Sequence, residues 1–98
     1  MIVVRNVFQV KFGKARDAVA SMKEGIAIGR KVGMNARILT DITGPAYTVV
    51  LETTHENLAD FENRSKDIMG SAEWKGWYQK FIPLVESGNR EIFSIAEM

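Results

Sequence analysis

Few residues in this chain are of the kinds that do chemistry. His55 is the single histidine, and there is no cysteine. Disulfides, thiolate metal sites and cysteine nucleophiles are therefore excluded. A lone histidine beside a helix N-cap, with no carboxylates grouped around it, makes a poor base or metal ligand. Local capping or surface exposure is its expected role. No G-x-S-x-G turn is present to seat a serine nucleophile. With no strong acid–base pair, ligand cluster or phosphate loop, no catalytic residue is assigned, and no metal or cofactor is expected. What remains are polar side chains set in apolar runs (Asn6, Thr40, Ser94), an aromatic group (Trp74, Trp77, Tyr78) and the strand-borne charges Arg5, Arg37 and Glu52. The first two groups could shape a small-molecule pocket. The third could bind an anion or fix an interface.

The elements that must position these residues are legible from periodicity. Residues 2–12 are rich in Val and Phe and read as a strand. Residues 14–32 read as a helix whose inward face is Ala15, Ala18, Val19, Met22, Ile26 and Gly29. Gly25 and Gly29 lie on or beside that face and allow close approach to whatever the helix covers. Each costs about 1 kcal/mol relative to Ala, and Gly33 suits the C-terminal cap. Residues 34–42 and 46–54 read as two strands joined through Thr43-Gly44-Pro45 in a hairpin. Thr53 with Glu56 matches a capping box for the next helix, whose stripe is Leu58, Phe61, Ser65 and Ile68. Gly70 breaks that helix. Ser71 opens a second piece carrying Trp74, Trp77, Tyr78, Phe81 and Val85, which Pro83 should end or kink. Ser87-Gly88-Asn89 reads as a turn and residues 90–98 as the last strand. The order β-α-β-β-α-β implies a single α+β domain over 1–98: a ferredoxin-like, four-stranded antiparallel sheet with both helices on one face.

Side chains alternate along strands, so parity assigns two faces. One set is apolar apart from Asn6, Thr40, Thr53 and Ser94, and belongs under the helices. It comprises Ile2, Val4, Asn6, Phe8 and Val10; Met34, Ala36, Ile38, Thr40 and Ile42; Tyr47, Val49, Leu51 and Thr53; and Ile92, Ser94, Ala96 and Met98. The other set mixes Val3, Val7, Leu39, Val50, Phe93 and Ile95 with Arg5, Gln9, Arg37, Asp41, Glu52 and Glu91. As plain solvent surface it wastes aliphatic side chains. As a dry core it buries charges that must be paired. A half-polar contact between two sheets meets both objections. A face-to-face homodimer is therefore expected, with Arg5, Arg37, Glu52 and Phe93 at its interface.

Size and charge narrow the function classes. Ninety-eight residues make one domain with a modest core. The 13 basic and 12 acidic residues are interspersed, for a net charge of +1. That gives no electrostatic case for nucleic acid or an anionic membrane. An RRM-type binder shares the element order but needs exposed aromatics on its central strands; here Arg5 and Val7 face Val50 and Glu52. No apolar stretch is long enough to span a bilayer. Met1 runs straight into Ile2-Val3-Val4 without a charged leader, so a cytoplasmic location is expected.

The opening "VRNVFQVKFGKARD" and the later "SAEWKGWYQKF", together with the element order, resemble the dimeric α+β barrel superfamily. Within it the resemblance is to the NIPSNAP-like and antibiotic-biosynthesis-monooxygenase-like (ABM-like) branches, and it covers nearly the whole chain. It implies two sheets packed as a barrel with helices outside, and a ligand seat between sheet and helices of each subunit. Asn6, Ser94, Trp74, Trp77 and Tyr78 are the expected ligand-binding residues on that basis. Resemblance to heme-degrading members, with an Asn in the first strand, gives Asn6 a role in orienting oxygen or a carbonyl. A buried amide bonded to backbone or to Ser94 is the favoured reading, and the heme version is weaker still, because the histidine those members need is missing from Trp74-Lys75-Gly76-Trp77-Tyr78. For the aromatics the competing reading is the inward stripe of an amphipathic helix, which should claim at least one tryptophan. The expected function is binding of a small apolar or aromatic ligand. The alternative is a cofactor-independent monooxygenase acting on a quinol-type aromatic.

Overall fold

The computed structural model describes residues 1–97. Met98, placed by parity under the helices, lies outside the described residues. The order is β1 (Ile2–Val10), α1 (Ala15–Arg30), β2 (Ala36–Thr40), β3 (Thr48–His55), α2 (Leu58–Met69), α3 (Ala72–Phe81), a 3₁₀ turn (Ile82–Leu84) and β4 (Val85–Ser94). The strands form one antiparallel sheet in the order β2-β3-β1-β4. This is the ferredoxin-like α+β arrangement expected from the sequence. Among the described residues no helix is long and apolar enough to cross a membrane.

The register confirms the parity of the two faces. Val4 stands opposite Thr53 and Ile92, while Arg5 stands opposite Glu52 and Glu91. The core lies on the helix side, where Val10, Ala18, Met22, Val49 and Phe81 are buried together. Phe81 is the joint of this core. It meets Phe8 edge-on at 5.1 Å and stacks on Trp77 at 5.1 Å. Burying side chains of this size contributes about 1.5–3 kcal/mol each.

Local signals explain most element ends. Asn57 caps α2 by accepting from the Asp60 amide at 2.9 Å, and Ser71 caps α3 by accepting from the Trp74 amide at 3.0 Å. The Thr53–Glu56 capping box does not form. β3 runs on through His55, so Thr53 is a strand residue and the cap falls two residues after the strand ends. Nor is Ser87-Gly88-Asn89 a turn: it lies inside β4, which begins at Val85 directly after the 3₁₀ turn. Gly88 is there for a different reason. A Cβ at that position would come within 2.8 Å of the Phe8 ring across the ladder, so glycine lets the ring lie against the strand.

Gly25 behaves in the same way on α1. A Cβ there would lie 2.7 Å from the Trp77 ring. That ring is not free to move aside, because its Nε1 donates to the Ser21 carbonyl at 2.6 Å. We therefore expect Gly25→Ala to lower stability by about 1–3 kcal/mol through overpacking, against a gain in helix propensity of about 1 kcal/mol. Urea unfolding monitored by tryptophan emission measures both effects. Unchanged stability with an unchanged emission maximum would contradict the packing.

Candidate functional site

Between the sheet and the helices lies a partly open apolar cavity of about 80 Å³. α1 contributes Met22, Gly25, Ile26 and Gly29, the sheet contributes Phe8, Ala36, Leu51 and Thr53, and Ile68, Trp74 and Trp77 close it from α2 and α3. The absence of a side chain at Gly25 and Gly29 brings α1 close to Trp77 and to Ile68 respectively. Gly76 is not part of this cavity: it borders an open groove between α1 and α3, with nothing within 4 Å of where a Cβ would stand.

The expected ligand residues divide into two groups. Trp74 and Trp77 line the cavity. Tyr78 lies outside it, 39% exposed, and stacks on Trp74 at 4.7 Å. Asn6 sits under the sheet but is bonded to Arg90, whose Nε donates to its Oδ1 at 2.9 Å. Arg90 in turn lies 5.2 Å over the Phe61 ring. Ser94 is exposed and stands opposite Ile2, while Asn6 stands opposite Arg90. The expected Asn6–Ser94 neighbourhood does not exist, because β4 starts earlier than its sequence suggests and its register places Ser94 at the far end of β1.

On the open face the four expected interface residues do converge. Arg5 Nε donates to Glu52 Oε2 at 2.7 Å, and Arg37 Nε donates to Glu52 Oε1 at 2.6 Å. The Arg5 guanidinium lies 5.6 Å over the Phe93 ring. With Glu91 opposite Arg5 in the register, charges alternate across the whole sheet as Arg37, Glu52, Arg5, Glu91. Beside this row runs an apolar one, Leu39, Val50 and Val7. The hydrogen bond from Arg5 holds the Glu52 carboxyl below the usual carboxylate range; desolvation partly opposes this and Arg37 reinforces it. Glu52 is hidden by its neighbours more than by depth: its side chain is 6% exposed, while Arg5 and Arg37 are 42% and 70% exposed.

The residue that sequence reasoning missed is His55. Instead of capping a helix at the surface it is buried at 3% exposure. Because β3 continues past Thr53, parity carries His55 to the same inner face, where it packs against Phe61 at 5.1 Å. Its Nε2 is 2.8 Å from Thr53 Oγ1, and its Nδ1 is 3.7 Å from Asp60 Oδ2. Burial pushes the imidazole below its ordinary value, the Asp60 carboxylate partly restores it, and Arg64 pushes the same way as burial. Asp60 is held low chiefly by the Glu56 amide, which donates to it at 3.2 Å, with Arg64 assisting. The signal lies in the alternation of Thr53, Thr54 and His55, which turns His55 inward because the strand runs to residue 55.

No family model matches the sequence, and no curated protein matches it. Solved structures do match along nearly the whole chain. An uncharacterized NIPSNAP domain protein from Burkholderia xenovorans superposes with a TM-score of 0.90 at 16% identity, over 98% of this chain and 95% of that one. A NIPSNAP-like domain protein from the same organism reaches 0.87 at 26% identity, over 97% and 84%. An antibiotic biosynthesis monooxygenase superposes at 0.74 with 10% identity, over 99% and 100%. The chain thus shares its fold with NIPSNAP-domain proteins and with that monooxygenase, in agreement with the resemblance read from its motifs.

The His55 environment has a measurable consequence. A histidine held below its ordinary value of about 6.5 binds its proton more weakly folded than unfolded. Its contribution to stability is complete above that pH and is lost as pH falls toward the folded value. The chain should therefore lose stability as pH drops below about 6.5, before its carboxylates begin to titrate. In His55→Gln this stretch of the stability–pH curve should be flat. An identical slope in both proteins, measured by urea unfolding across that window, would contradict the buried placement.

Proposed function

We propose that this protein is a homodimer that binds a small apolar or aromatic molecule between the sheet and the helices of each subunit. The observation that carries the reading is the apolar cavity walled by both tryptophans. A mostly apolar space with few convergent polar groups is the usual form of a small-molecule site. At about 80 Å³ it is smaller than the ~150 Å³ that accommodates benzene in a dry protein cavity. Entry of a ring therefore requires α2 and α3 to lift from α1, and the break at Gly70–Ser71 between them is where such movement would be taken up.

Both tryptophans of the chain line the cavity, so occupancy should be read in their emission. Titration with a naphthoquinol-type aromatic should quench wild-type fluorescence saturably. Ala36→Leu, which fills the space from the sheet side, should abolish the saturable part. Equal quenching in both would contradict this site. Oxygen uptake during the same titration separates the second reading, a cofactor-independent monooxygenase. The fold shared with an antibiotic biosynthesis monooxygenase supports that reading, and the aromatic walls are compatible with it. Uptake under air that Ala36→Leu removes would favour the enzyme; saturable binding without uptake would favour a binding protein.

The dimer is supported by the open face, where rows of aliphatic and alternating charged residues run side by side. A row of opposite charges is self-complementary, and Phe93 and Ile95 remain 47% and 45% exposed at its edge. In an isolated subunit the half-exposed Arg5–Glu52 pair contributes only about 0.2–1 kcal/mol. Covered by a second sheet, loss of one partner costs about 3–5 kcal/mol. Arg5→Ala should therefore raise the dimer dissociation constant by a hundredfold or more, at roughly 1.4 kcal/mol per factor of ten. Sedimentation equilibrium that finds wild type and variant associating equally would remove the basis for this interface.

A further inference from the structure

The open groove between α1 and α3 encloses about 500 Å³ on the outside of the helices. Ala27, Ile28 and the C-cap residue Lys31 border it from α1, and Glu73, Gly76 and Trp77 from α3. The helix–sheet cavity lies against the inner face of α1, at Met22, Gly25, Ile26 and Gly29. Trp77 is the one residue that borders both spaces. Its indole spans the gap from α3 to α1. The ring lies 2.7 Å from where a Gly25 Cβ would stand, and Nε1 donates to the Ser21 carbonyl at 2.6 Å. This indole therefore stands between the groove and the cavity.

The two ends of α3 are held differently. At its C-terminal end Phe81 is buried between Phe8 and Trp77. At its N-terminal end the chain turns at Gly70, and Ala72 and Glu73 are exposed. One polar link ties this end to α1: Lys31 Nζ donates to both Glu73 carboxylate oxygens, at 2.8 and 2.7 Å. Among the described residues, this pair and the Trp77–Ser21 bond are the only hydrogen-bonded links that tie α3 to α1. The Lys31 and Glu73 side chains are 64% and 52% exposed. A pair this wet adds little to global stability and is screened by salt. Its weight falls on a local equilibrium, the docking of one helix end on its neighbour.

We propose that the N-terminal half of α3 is the gate of the cavity, with Trp77 as its leaf and the Lys31–Glu73 pair as its latch, and that ligand enters through the α1–α3 groove. This rests on the reading of the cavity as a ligand seat and adds the route by which the seat is reached. The helix pivots at Phe81 and swings at Gly70–Ser71. Opening breaks the Lys31–Glu73 pair and the Trp77–Ser21 bond and moves the indole away from Gly25. Groove and cavity then join into one space. The empty cavity is too small for a ring, so the occupied form is the open one. The latch is made only in the empty protein, where it opposes binding. Apparent affinity scales with the fraction of protein in the open form. Weakening the latch therefore tightens binding, although neither Lys31 nor Glu73 borders the cavity.

Hydrogen exchange of the Trp77 indole Nε1–H reads the gate without any ligand, because that hydrogen is bonded to Ser21 only while the gate is shut. Lys31→Ala and Glu73→Gln should each raise this exchange about two- to fivefold, the scale of one exposed pair, with urea stability little changed. Lys23→Ala, off the groove, should leave it unaltered. Sodium chloride at about 0.5 M should bring wild type to the level of the latch variants, an arm that needs no variant to fold. Each latch variant should also bind 4-nitrotoluene more tightly by the factor seen in exchange, read by quenching of tryptophan emission. Exchange that neither the variants nor salt accelerate, or faster exchange with unchanged or weaker binding, would overturn the gate and leave the cavity reading standing. Failure of wild type and both latch variants to bind the probe would overturn the cavity reading and the gate with it.

Discussion

The strict alternation of side chains along β3 is the constraint on which the rest of this molecule depends. β3 is a central strand, hydrogen-bonded on both edges, so its register cannot slip by one residue without exchanging its two faces. Its inward residues Val49, Leu51, Thr53 and His55 supply, in order, the buried core, two residues of the cavity wall and the buried imidazole. Its outward residues Thr48, Val50, Glu52 and Thr54 include the carboxylate that both arginines grip. One strand thus sets the composition of two separate surfaces.

The two surfaces solve different electrostatic problems. On the open face a carboxylate is kept charged by guanidiniums that remain wet, so the arrangement tolerates either water or a second sheet above it. Under the helices a histidine is buried where its charged form is disfavoured, and the Asp60 carboxylate only partly offsets that. The same backbone period that separates these environments also prevents Arg5 or Arg37 from reaching the cavity. That separation is the physical basis for placing recognition under the helices and association on the open side.

Much of this was legible in the sequence because period-2 alternation is a strong signal and the helices carry clear stripes. The elements and the two faces follow from it, and parity puts Arg5, Arg37, Glu52 and Phe93 on one face, where they meet. Boundaries were harder to read. Ser87-Gly88-Asn89 has the composition of a turn, yet Gly88 serves the close approach of Phe8, and the resulting early start of β4 separates Ser94 from Asn6. Thr53 and Glu56 have the spacing of a capping box, but pairing with Ile2 and Val4 on β1 keeps β3 extended to His55. Tertiary pairing overrides the local cap, and the same pairing carries His55 onto the buried face. Tyr78 shares a helix with Trp74 and Trp77, and only its rotation about the axis, set by packing of Trp77 on Gly25 and Phe81, turns it outward.

The central claim is that a ligand enters between the helices and the sheet. Intermolecular nuclear Overhauser effects from a small aromatic ligand such as 4-nitrotoluene test it most directly. The account predicts contacts from the ligand ring to the Met22 and Leu51 methyl groups and to the Trp77 indole. Contacts to Val7, Leu39 and Val50, with none to Met22 or Trp77, would place the ligand on the open face of the sheet and contradict it.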